Sequence, residues 1–189
     1  LHHYTGKTSW TAAHERYLAE VRFDHPAQDI AYGEYRSAVR EANERTERTT
    51  AALREQAATW RWHGVVRALM ALRGVEFVAA VTLVAELGDL ARFAHPKQLL
   101  SYLGLVPSEY STGASRVQGR IIKTGNGHAR RILIESAWTY RLLARMSRDL
   151  VVRNEGQSKA VRDIACRAQL RLCSRFRRLQ AWGVHHNKT

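Results

Sequence analysis

Residues 104–131, GLVPSEYSTGASRVQGRIIKTGNGHARR, bring together the side chains needed to hold or attack a phosphodiester. Ser108, Tyr110, Ser111, Thr112 and Ser115 form a cluster of hydroxyls. Arg116, Arg120, Lys123, Arg130 and Arg131 follow with no carboxylate among them, interrupted by Gly113, Gly119, Gly125 and Gly127. A hydroxyl can serve as nucleophile, fixed cations can stabilise the charge that develops on phosphorus oxygens, and glycines let backbone approach closely. The same composition also suits a solvated basic loop that only positions a nucleic acid, the commoner use of such patches.

Charge placement separates the two halves of the chain. The 189 residues carry a net charge of +13. Residues 1–110 hold 13 Lys/Arg against 13 Asp/Glu, so residues 111–189, with 17 against 4, account for the whole excess. That asymmetry is the footprint of a polyanion partner, most simply nucleic acid. A membrane surface fits less well, because the basic segments lack an aromatic, lipid-facing stripe. No apolar run approaches transmembrane length and no signal peptide opens the chain, so a soluble, cytoplasmic protein is expected. Cys166 and Cys173 would lie about 10 Å apart on one helix, too far for a disulfide, and no Cys/His spacing suggests a metal site.

The elements that must position this stretch are helical. A first helix begins near Ser9 or Thr11 and breaks at Asp24-His25-Pro26. From 27 to 60 the pattern is one long helix, with Tyr35, Val39, Ala42, Thr46, Thr49, Leu53, Gln56 and Trp60 at heptad spacing. The threonines and Gln56 weaken that seam, which fits an arm in a helical hairpin or a dimer contact. Gly64 opens a denser region: a short helix, a turn at Gly74, and an apolar helix ending near Gly88, with Val65, Leu69, Leu72, Val78, Val81, Val84 and Leu87 as core. This resembles a helix-hairpin-helix, whose turn amides can meet phosphate, although Glu76 stands where a second glycine is usual. A plain core-building hairpin is the alternative.

A short helix follows Pro96. The glycine-rich stretch reads as a basic loop with a short extended piece at Arg120-Ile121-Ile122. The turn Gly125-Asn126-Gly127 then leads into an amphipathic helix carrying Ile132, Ile134, Ala137, Trp138 and Leu142. The last helix, from about 158 to 182, turns Val161, Ala165, Ala168, Leu172, Phe176 and Leu179 inward. Arg167, Arg171, Arg175 and Arg178 form an adjacent stripe suited to phosphates. The fold class expected is mainly α: a helical arm over 1–62, then a compact domain over 63–189 with a helix-hairpin-helix-like unit and a basic glycine-rich loop.

The run from 72 to 138, above all GLVPSEYSTG and GRIIKTGNGHARR, resembles the C-terminal domain of the insertion sequence one-ten family of transposases, and 1–62 is similar to that family's helical linker. The resemblance implies a DEDD-type, bridge-RNA-guided serine recombinase with two half-sites. One is a RuvC-like domain with four carboxylates and magnesium. The other is this domain, whose serine becomes joined to a DNA 5′ phosphate. The nucleophile so implied falls on Ser111, with Ser115 and Thr112 as fallbacks; Ser108 and Tyr110 are expected to be structural. Arg116, Arg120, Lys123, Asn126, Arg130 and Arg131, with the four arginines of the last helix, would hold nucleic acid. DNA, a guide RNA and further subunits are the implied partners. Asp24 and Asp29 are the only aspartates in 1–62 and do not fit a RuvC-like strand pattern. The expectation is therefore a truncated or split copy with no metal of its own, which binds nucleic acid but does not recombine DNA alone. A non-catalytic basic DNA- or RNA-binding module, or a helical protein whose basic face meets an acidic partner, remains the alternative.

Overall fold

The computed structural model describes residues 3–113 and 115–184. They are mainly helical with a single two-stranded sheet. The chain divides into two units, one ending at Leu53 and the other starting at Arg54.

In the first unit, α1 (Ala12–Glu20) is capped by Thr11, whose side chain accepts from the His14 amide. The long helix α2 (Pro26–Thr59) starts on the proline whose fixed φ suits a first turn. The link between them is pinned where the Phe23 amide donates to Asp29 Oδ1 (3.0 Å) and the Tyr32 hydroxyl donates to the Leu18 carbonyl (2.9 Å). Along α2 every residue from 38 to 49 is exposed, including Val39, Ala42, Thr46 and Thr49 of the expected heptad seam. The seam is present as a stripe and is not covered within this unit.

The second unit is built on a helical hairpin, α3 (His63–Met70) and α4 (Phe77–Leu87), with Val66, Ala71, Val75, Ala80, Val81, Leu83, Val84 and Leu87 buried. Val78, expected in this core, is about half exposed, because it falls on the side of α4 away from Ala80, Leu83 and Leu87. Gly74 at the turn has φ +82, and a Cβ there would strike the Ser136 carbonyl and the Thr139 hydroxyl. The Val75 amide is already bonded to the Leu72 carbonyl. This turn is thus packed against protein, which favours the core-building hairpin over a phosphate-binding one. Asn154, buried, donates to the Ala71 and Leu150 carbonyls, while Arg153 reaches the Val75 carbonyl at 2.9 Å. These bonds fasten α7 (Arg148–Asn154) to the α3–α4 turn.

After a 3-10 turn (Leu90–Arg92) and α5 (Pro96–Tyr102), the glycine-rich stretch differs from the loop expected. It is an antiparallel hairpin, β1 (Pro107–Thr112) and β2 (Ser115–Ile121). Tyr110, Thr112, Val117 and Ile121 supply β propensity, and Gly113, at φ +57, supplies the left-handed residue that the reversal needs.

The helix that follows, α6 (Gly127–Ala137), is also shorter than its amphipathic pattern suggested. It tightens into a 3-10 turn over Trp138–Arg141. The inward face also differs from the one expected: Ala129, Ser136 and Tyr140 are buried, whereas Ile134, Ala137, Trp138 and Leu142 are exposed. α8 (Lys159–Ala181) packs against that 3-10 turn. Ala165, Gln169 and Cys173 are buried on its inner face, with Val161, Ala168, Leu172, Phe176 and Leu179 half-buried beside them. Cys166 is exposed. No helix among the described residues is long and apolar enough to cross a membrane.

Candidate nucleic-acid interface

Both strands of the hairpin are exposed almost throughout, so it stands out as a two-stranded ribbon. A free hairpin is marginal in water and needs an anchor. Here the anchor is a backbone crossing at the ribbon's base. The Ile122 amide donates to the Val106 carbonyl, Lys123 to Gly104 and Asn126 to Tyr102. Gly104 and Gly125 make the crossing possible: a Cβ on Gly104 would strike the Thr124 carbonyl, and one on Gly125 the Tyr102 carbonyl. These glycines serve approach of backbone to backbone rather than to a phosphate. Lys123 takes a left-handed conformation (φ 57) at the same crossing.

Arg130 closes the anchor. Its Nη1 donates to the Leu103 carbonyl at 2.7 Å and to the Lys123 carbonyl at 3.0 Å. Asn126 caps α6 by accepting from the Ala129 amide (2.8 Å), and its amide nitrogen donates to Glu86 Oε2 (2.7 Å). His128 Nδ1 lies 2.7 Å from the other oxygen of Glu86. The hydrogen bond from Asn126, then that from His128, holds the Glu86 carboxyl below the usual carboxylate range. Glu86, on α4, therefore ties the ribbon's exit to the core.

Strand register sorts the hydroxyls. Ser111 pairs with Arg116, Glu109 with Gln118, Tyr110 with Val117, and Thr112 with Ser115. Because side chains alternate, Glu109, Ser111, Arg116 and Gln118 share one face, and Tyr110, Thr112, Ser115 and Val117 the other. Ser111 is separated from both fallback hydroxyls. Its Oγ donates to Glu109 Oε1 at 2.7 Å, and Arg116 Nε lies 3.2 Å from the same oxygen. The Ser111 hydrogen bond and, next, the Arg116 charge hold the Glu109 carboxyl below its ordinary range. Tyr110, expected to be structural, is 75% exposed. Ser108 is half-buried across from Gly119, where a Cβ would strike its hydroxyl.

The expected cations do not all gather at Ser111. Arg116 is its cross-strand neighbour. Lys123 and Arg130 sit at the base, beyond the Pro107–Ile121 pair and roughly 13 Å along the strand from Ser111. Arg131 pairs with Glu135 one turn on, at 2.8 Å. Arg120 is exposed on β2. On α8, Arg167, Arg171, Arg175 and Arg178 are all exposed; Arg167 Nε donates to the Asp163 carbonyl, and Arg178 lies over the Trp182 ring at 5.3 Å. At 100° per residue the four fall within about 80° of one another, a continuous stripe.

Glu109 and Glu86 were not singled out from sequence. The signal for Glu109 was available: it is the sole carboxylate in residues 104–131, two positions from Ser111. Glu86 lies some forty residues from its partners, and no spacing rule could link them. Among the described residues no group of three or more His, Cys, Asp or Glu could hold a metal ion. Donors for the magnesium that the resemblance implies are not assembled among these residues.

Comparison with known proteins shows what the chain is similar to. Residues 66–150 match the transposase IS116/IS110/IS902 family. The chain is 44% identical over 180 residues to a protein named as a transposase, y4qE, of Sinorhizobium fredii, covering 95% of this chain and 43% of that protein. It is 29% identical over 185 residues to the transposase for insertion sequence element IS1533 of Leptospira borgpetersenii, covering 90% of this chain and 50% of that one. A shorter match, 35% over 69 residues, joins it to the transposase for insertion sequence element IS1111A of Coxiella burnetii. The chain spans about half the length of the first two. Insertion-sequence transposases are the proteins it resembles, and the likeness to the family model lies in residues 66–150.

Proposed function

We propose that this chain is the DNA-handling part of an insertion-sequence transposase, with Ser111 as the hydroxyl that attacks the DNA backbone. The observation that carries the reading is the Ser111–Arg116 cross-strand pair, displayed on an exposed ribbon within the family-matched domain. In the attack, Ser111 Oγ bonds to phosphorus and the 3′ oxygen departs, leaving a 5′ phosphoserine link. Arg116 lies close enough to meet a non-bridging oxygen of that phosphate, and Arg120 can meet a flanking one. The arginine stripe of α8 binds phosphates farther along the duplex or a guide RNA.

The rest of the assembly belongs to the same proposal. A RuvC-like region with magnesium would complete the reacting centre from outside the residues described here, in the cytoplasm. Copies of the protein would associate along α2, whose Tyr35 and Val39 remain exposed. The alternative, a basic module that binds without cutting, is favoured by the inward use of Arg130 and the pairing of Arg131, which leave fewer cations near the serine.

The test is a transposition assay with a complete transposase carrying this segment and Ser111→Ala. Strand exchange lost with DNA binding retained supports the reading; strand exchange that persists with Ser111→Ala refutes it. Ser115→Ala and Thr112→Val serve as the parallel arms, since both hydroxyls lie on the opposite face.

A further inference from the structure

Ser111 is not an idle surface hydroxyl. Its proton points at Glu109 Oε1, 2.7 Å away, which leaves the oxygen lone pairs open on the exposed side of the ribbon. Glu109 also receives Arg116, through Nε at 3.2 Å and Nη2 at 3.4 Å. The side chains of Arg116 and Glu109 are 69% and 44% exposed, so the ion pair by itself adds little to stability. Fold stability therefore does not account for the arrangement. Residues 104–131 contain one carboxylate, and register places it on the serine's face, away from Thr112 and Ser115.

We infer that Glu109 orients the Ser111 hydroxyl and accepts its proton as the oxygen attacks phosphorus. This rests on the proposed role of Ser111. The step balances as follows: the Oγ–P bond forms, the P–O3′ bond breaks, the hydroxyl proton passes to Glu109, and the departing 3′ oxygen takes a proton from water. Arg116, held at the same carboxylate, is carried to the phosphate with the nucleophile and offsets the repulsion between Glu109 and the incoming anion. The carboxylate is ionised at neutral pH because Ser111 and Arg116 both favour its charged form, so it is ready to accept.

The experiment uses the chain as it stands and a fluorophosphonate, which loses fluoride when an activated serine attacks its phosphorus. Sites are mapped by mass spectrometry from pH 8 down to pH 3, a window that reaches below the ordinary carboxylate range. Ser111 should label faster than Ser115, with a rate that falls as the Glu109 carboxyl is protonated. Glu109→Gln should slow labelling at least about tenfold, less than the ~100-fold at which general-base effects usually begin because Ser111 and Arg116 weaken this carboxylate as a base, and should flatten the pH profile. A second variant separates chemistry from misfolding. In a Ser111→Cys background, adding Glu109→Gln should speed thiol alkylation by iodoacetamide, because removing a neighbouring anion favours the thiolate. Amide exchange at Ile122, Lys123 and Asn126 that matches the parent chain shows that the ribbon is intact in each Glu109→Gln variant. Unchanged labelling with Glu109→Gln overturns the role of Glu109 and leaves that of Ser111 standing. A Ser111 that labels no faster than Ser115 in the parent chain likewise overturns the role of Glu109, whereas the role of Ser111 falls only if strand exchange persists with Ser111→Ala.

Discussion

Substituting Arg171 and Arg175 with Gln tests whether the α8 stripe is a nucleic-acid surface. From Arg167 to Arg178 the helix rises about 16 Å, and the four guanidiniums fall within about 80° around its axis. B-DNA presents about one negative charge per 1.7 Å of its own axis, so four phosphates are within reach of that length. Four contacts imply a slope of log K against log salt near −3.6, which is a loss of about 150-fold in affinity between 50 and 200 mM salt. Removing two of them should make the slope shallower by about 1.8, so that the stripe's loss over the same interval drops to about 12-fold. Both side chains are exposed, so the fold should tolerate the change with a stability difference within about 0.5 kcal/mol. The assay is fluorescence anisotropy of a labelled duplex titrated with the chain at four salt concentrations. Arg48→Gln, an exposed arginine of α2 flanked by Glu44 and Glu47, is the control. A slope unchanged by the double substitution, or shifted equally by the control, would show that the stripe is only a solvated face.

The anchor of the ribbon offers further predictions. Asn126→Ala removes the α6 cap and should cost about 1 kcal/mol, or about 2–4 °C of Tm by calorimetry, while Asn126→Asp keeps the cap but sets a second carboxylate against Glu86. If repulsion at Glu86 is the reason, adding Glu86→Gln to Asn126→Asp should restore the lost Tm, and failure to do so would discount that contact. Gly125→Ala places a methyl group against the Tyr102 carbonyl at φ +111 and should raise amide exchange at Lys123 and Asn126, whereas Gly113→Ala has space but an unfavourable φ and should loosen only the tip. Glu86 has a lowered pKa in the fold, through its bonds to Asn126 and His128. Those bonds are complete above the ordinary carboxylate range and are lost as pH falls through the lower folded value. Acid should therefore raise amide exchange in the ribbon at pH values where α8, buried through Ala165, Gln169 and Cys173, is still protected.

Much of the scaffold follows from local rules written in the chain. Thr11, Pro26, Pro96, Asn126 and Ser158 mark helix starts, because their side chains or fixed φ satisfy the first turn without help from distant residues. The inward stripe of α8 and the exposed run of arginines beside it follow from helical period and residue type alone. Charge confined to residues 111–189 likewise needs no structure to be seen. The ribbon did need it: short alternating segments broken by glycines are compatible with a loop until a partner strand fixes register, and register is what puts Ser111 with Glu109 and Arg116 while turning Ser115 and Thr112 away. Tertiary contact also reassigned several residues by type. Arg130 and Asn126 look like phosphate ligands in sequence, yet the nearby Leu103 carbonyl and Glu86 carboxylate engage them, since a polar group next to an unpaired partner in the fold bonds to it before meeting a ligand. Gly74, Gly104 and Gly125 were legible as special positions. What each one makes room for was set only by the segment that crosses it.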